Sequence, residues 1–75
     1  MTGKVIRMDS KKAFGFIRSD LDGSDYFFHK DDLHGFWTDI VSDFKKNELI
    51  LVEFKPIKTD KGLRAAFVKR TDGIN

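Results

Sequence analysis

Two stretches hold the side chains with the most to offer chemically. "KKAFGFIRSD" (11–20) sets Phe14 and Phe16 two apart, and "DYFFHK" (25–30) repeats the interval with Phe27 and His29. Side chains two apart share one face of an extended strand. Lys4, Arg7, Lys11, Lys12, Arg18 and Lys30 lie in the same strands or their turns. Rings interleaved with cations suit an unpaired nucleic-acid strand. Bases stack on the ring faces, at about 1–3 kcal/mol each, while the cations follow the phosphates. A double helix hides its base faces, so this chemistry selects single strands.

Other chemistries find less support. "HKDDLH" (29–34) contains histidine and aspartate, both zinc ligands, but the spacing matches no closed ligand set. Asp31 and Asp32 fit better as caps of a turn, and no metal or other cofactor is expected. There is no Ser/His/Asp array, no pair of buried carboxylates and no phosphate-cradling glycine loop, so no enzyme is expected.

The elements that must position these rings are short. "KVIRM" (4–8), "AFGFIR" (13–18), "DYFFH" (25–29), "LILVEF" (49–54) and "RAAFVK" (64–69) are rich in β-branched and aromatic residues. Turn signals at "DSKK" (9–12), "SDLDGS" (19–24) and "TDKG" (59–62) separate most of them. Five such strands in 75 residues predict an all-β fold, a five-stranded antiparallel barrel of the OB type. Within 34–47, "HGFWTDIVSDFKKN", Ile40, Val41 and Phe44 recur at helical spacing. A helix of about two turns is expected at about 38–46, capped by Thr38 or Asp39, with Lys45 and Lys46 at its C-terminus.

A hairpin joining 13–18 to 25–30 has its register set if Arg18 pairs Asp25. Phe16 then lies opposite Phe27 and Phe14 opposite His29. On the reverse face Ile17 meets Tyr26, and Gly15 leaves room for Phe28. The second set makes the closed inner face. Phe14, Phe16, Phe27 and His29 are left as an exposed cluster, and a cluster of that size is either an interaction surface or an aggregation hazard.

Composition sets the outer bounds. A single domain spanning 1–75 is expected, with a thin core. The sequence has no cysteine, no signal-peptide pattern at 1–10 and no apolar run able to cross a bilayer, which together favour a soluble, cytoplasmic protein, and a monomer is expected. The net charge of +2 divides as +2 over 1–30, −4 over 31–54 and +4 over 55–75. Both ends of the chain can thus contribute to a mildly basic surface, of the sort that attracts a polyanion.

At this point the residues resemble a known family, the bacterial cold-shock domains. "KAFGFI" (12–17) is similar to that family's K-G-F-G-F-I, and "DYFFH" (25–29) to its D-V-F-V-H. "GKV" (3–5), "GF" (35–36), "VEF" (52–54) and "KGLRAAFV" (61–68, against K-G-P-Q-A-A-N-V) follow in the same order. The resemblance implies an OB-fold RNA chaperone that binds single-stranded RNA or DNA. Carried over by position, it implies contacts from Lys4, Arg7, Met8, Lys12, Phe14, Phe16, Phe27, His29, Lys30 and Phe36. Trp37 either packs in the core beneath the helix or extends that surface beside Phe36. Arg7, Met8 and Lys30 stand where the family has aromatic residues. A guanidinium can lie flat on a base and an ammonium can reach a phosphate, so charge is expected to replace part of the stacking. The alternative function is a protein-interaction module that docks a partner on the same aromatic face.

Overall fold

The computed structural model describes residues 1–71; residues 72–75, the end of the expected 1–75 domain, lie outside the described residues. The strands are β1 (Thr2–Asp9), β2 (Phe14–Ser19), β3 (Asp25–His29), a two-residue β4 (Leu33–His34), β5 (Leu51–Thr59) and β6 (Gly62–Arg70). Helix α1 (Trp37–Lys45) lies between β4 and β5, and a 3₁₀ turn (Lys30–Asp32) lies between β3 and β4.

The sheet runs β3-β2-β1-β5-β6-β4, and a further pairing of β3 with β6 closes the five long strands into an OB-type barrel. β1, β2 and β3 form an antiparallel meander, and β5 and β6 an antiparallel hairpin. Two seams join these units. One pairs Thr2–Lys4 of β1 with Leu51–Glu53 of β5. The other is a single parallel bridge between Phe27 and Arg64.

Alternation decides what fills the barrel. Ile17, Phe28, Val52, Ala65 and Val68 are fully buried, with Val5, Tyr26 and Phe54 nearly so. The β2–β3 register is the predicted one throughout, from Arg18 with Asp25 to Phe14 with His29. Gly15 is needed opposite Phe28: a Cβ there would lie 2.9 Å from Phe28 Cε1 and 2.6 Å from the Arg7 carbonyl oxygen.

Several boundaries differ from those expected, each for a local reason. α1 starts at Trp37 rather than beyond Thr38 or Asp39, and its N-cap is Phe36, which makes no side-chain capping bond. The apolar stripe thus places the helix, through Ile40 in the core and Trp37 and Phe44 against it. Lys45 and Lys46 do fall at its C-terminal end. β5 begins at Leu51, not Leu49, and continues through Pro56 to Thr59. From Lys55 on, every residue of β5 is exposed, so this half carries no apolar alternation that would mark it as a strand. β4 is too short to leave a pattern.

Candidate nucleic-acid interface

The candidate interface lies on the outer face of β1–β3, and a defect in β1 makes that face continuous. Residues three apart in a regular strand point to opposite faces. The β1–β2 register slips between Val5 and Arg7, so Lys4 pairs with Arg18 and Arg7 with Phe16. The bulge at Ile6 therefore brings Lys4 and Arg7 to the same side. Three cross-strand rows result: Lys4–Arg18–Asp25, Arg7–Phe16–Phe27 and Asp9–Phe14–His29.

The rings occupy the middle of this grid and shelter one another. Phe14 and Phe27 have centroids 5.5 Å apart, Phe16 and Phe27 5.8 Å, and Phe14 and Phe16 6.0 Å. The two Phe16 contacts are edge-to-face, the favoured geometry for aromatic pairs. Each ring is half-buried, so mutual packing removes part of the cost of leaving phenylalanine at a surface.

Polar contacts fix the borders. Asp9 Oδ1 accepts from the backbone N–H groups of Lys11 (3.1 Å) and Lys12 (3.0 Å), shaping the loop that presents both ammoniums. Arg18 Nε donates to Asp25 Oδ1 at 2.9 Å, and this bond holds the exposed guanidinium above its ordinary pKa. In the loop between them the Ser24 backbone N–H lowers the pKa of Asp22. His29 caps the 3₁₀ turn: its Nδ1 accepts from the Asp31 N–H, while Asp32 Oδ2 accepts from the His29 N–H. Of the two aspartates expected to cap the turn, Asp32 does so through its side chain, whereas the Asp31 backbone N–H is itself capped by His29.

Beside Phe16 and Phe27 the surface dips into a recess of about 540 Å³, lined also by Asp25, Thr59, Lys61, Gly62, Leu63 and Arg64. Among the described residues, no group of three or more His, Cys, Asp or Glu side chains is placed to hold a metal ion. No helix of the described residues is long and apolar enough to cross a membrane.

The family model described as the 'Cold-shock' DNA-binding domain matches residues 1–71. The chain belongs to the cold-shock domain family. A cold shock-like protein of Thermotoga maritima is 42% identical over 71 residues, covering 92% of this chain and 96% of that protein. The family is one of nucleic-acid-binding domains, not of enzymes.

As a cold-shock domain, the chain distributes the expected contact residues unevenly. Lys4, Arg7, Phe14, Phe16, Phe27 and His29 share the outer grid, with Lys12 and Lys30 exposed at its edge. Met8 does not join them. It pairs with Gly15 on the inner face and packs against the core, because the bulge that turns Arg7 outward turns Met8 inward. Trp37 lies against Phe28 edge-to-face at 5.9 Å, which is the core-packing alternative. Phe36 is 77% exposed and stands apart, beside Leu33, His34 and Lys69.

Sequence reasoning did not reach Thr59, Lys61, Leu63 or Arg64 as neighbours of the rings. The meeting of β3 with β6 across 37 positions, Phe27 with Arg64, leaves no local pattern. The signals there were the basic character of 55–75 and the likeness of "KGLRAAFV" (61–68) to the family pattern, and neither says which strand it meets.

Proposed function

We propose that this cold-shock domain binds single-stranded RNA or DNA on the outer face of β1–β3, and acts as a monomeric cytoplasmic RNA chaperone. The observation that supports this reading is the Arg7–Phe16–Phe27 row, flanked by Phe14 and His29. Rings partly open to solvent and bordered by cations can stack on bases whose backbone follows Lys4, Lys12 and Lys30. Stacking on a π face tolerates any base, so many sequences are accepted. Binding to the unpaired form shifts the duplex–strand equilibrium by mass action and needs no nucleotide hydrolysis. Met8 and Trp37 support this surface from beneath it.

The test is fluorescence anisotropy of a labelled oligopyrimidine, single-stranded and then annealed to its complement. Binding is expected to the single strand and to be much weaker to the duplex. Equal affinity for both would mean that charge alone drives association. Absence of binding to either would favour a protein partner for the aromatic face.

A further inference from the structure

One carboxylate ties the end of the β2–β3 hairpin to the far strand of the barrel. Asp32 Oδ2 accepts from the His29 backbone N–H at 3.0 Å, and from Nε and Nη2 of Arg64 at 3.2 and 3.0 Å. The Asp32 side chain is 14% exposed and that of Arg64 43%. Arg64 is the register partner of Phe27, and both line the recess beside Phe16. The same oxygen that caps the 3₁₀ turn therefore sets where a guanidinium stands relative to the rings.

A guanidinium at the edge of a nucleic-acid surface can act in two ways. Its N–H fork can grip a phosphate, or its flat face can stack on a ring or base. Here the Nε–Nη2 edge is already committed to Asp32, and the adjacent carboxylate compensates the positive charge. These bonds use only part of the guanidinium's N–H donors, and the side chain, 43% exposed, lines the recess, where its flat face can meet a ligand.

We propose that Asp32 is a positioning residue: it holds Arg64 beside Phe27 as a further stacking surface and withholds the Arg64 charge from the phosphates. This rests on the outer face being the strand-binding site. Asp32→Asn loosens the fork and releases the charge, so Arg64 then seeks phosphate. Arg64→Gln removes a flat surface whose charge was already compensated.

The experiment measures the affinity of labelled oligothymidylate over a range of salt concentrations for the parent, Asp32→Asn and Arg64→Gln, with a thermal melt of each. Each phosphate neutralised on a single strand contributes about −0.7 to the slope of log K against log salt. Asp32→Asn is expected to steepen the slope by up to about 0.7. Arg64→Gln is expected to weaken binding by roughly fivefold or more at every salt concentration, with the slope unchanged. Two results overturn the proposal while leaving the outer-face site standing. One is a parent and an Asp32→Asn variant with equal slopes, whatever the change in melting temperature, which makes Asp32 a structural clip only. The other is an Arg64→Gln slope flatter by about 0.7, which puts Arg64 on phosphate already. If Asp32→Asn does not fold, the Arg64→Gln slope decides. A parent that binds no single strand removes the outer-face site, and the proposal with it.

Discussion

Gly15 is where the two faces of the sheet depend on each other most directly. A Cβ at that position would meet the Arg7 carbonyl oxygen at 2.6 Å, Phe28 Cε1 at 2.9 Å and Met8 Sδ at 3.0 Å. The methionine can move, but the backbone of the bulged strand cannot without disturbing Arg7. Gly15→Val is therefore expected to cost at least the 1–3 kcal/mol, roughly, of ordinary overpacking, read as a lower denaturation midpoint. A variant as stable as the parent would contradict this packing. This contact was legible in the sequence, because a glycine opposite a phenylalanine has an obvious steric meaning once the hairpin register is set. Phe67 was not legible. It has φ of 51° at the irregularity between β5 and β6, and it is 74% exposed. Left-handed backbone costs a non-glycine residue roughly 1–2 kcal/mol, and asparagine is among the residues that tolerate it best. The family's K-G-P-Q-A-A-N-V pattern has asparagine at this place. Phe67→Asn is expected to raise stability by about 1 kcal/mol, and an unchanged or lower melting temperature would mean that the exposed ring contributes more than the strain removes.

The β2–β3 hairpin and the bulged β1 together make the proposed binding surface, and they contribute by different physics. Phe27 touches both other rings of the cluster but is only half-buried. Phe27→Ala should weaken single-strand binding by about 1–3 kcal/mol. Its cost in stability should stay below the roughly 3–5 kcal/mol of removing a core phenylalanine. A melt showing the full core penalty would move the ring inside. Arg7, placed beside Phe16 by the bulge, supplies charge where relatives have a ring. Arg7→Gln should flatten the salt dependence of binding by about 0.7 in the log–log slope if its guanidinium meets one phosphate. Arg7→Trp should flatten it likewise while holding affinity at high salt, where charge contacts are screened. Identical slopes for the parent and both variants would show that Arg7 touches no phosphate. The hairpin was readable because alternation and an Arg18–Asp25 pair act over a few residues. The bulge was not, since nothing in "KVIRM" marks Ile6 as the extra residue.

The barrel as a whole is closed by contacts between distant parts of the chain. Strand number and inner faces followed from short-range patterns, but the seams did not, because partners such as Lys4 and Leu51 share no local signal. Helix α1 covers the core with Ile40, Trp37 and Phe44, so much of the most acidic third of the sequence serves architecture. That arrangement has an optical consequence. Trp37 is the single tryptophan, and its indole lies against the inner-facing Phe28 instead of among the outer rings. Its emission should shift to the red when denaturant opens the barrel, yet change little when a folded sample is saturated with oligothymidylate. Strong quenching by the oligonucleotide would place the strand across the helical end of the molecule. Without such quenching, the indole is an intrinsic gauge of folding that is blind to cargo, and the two equilibria can be followed in one cuvette without a label on the protein.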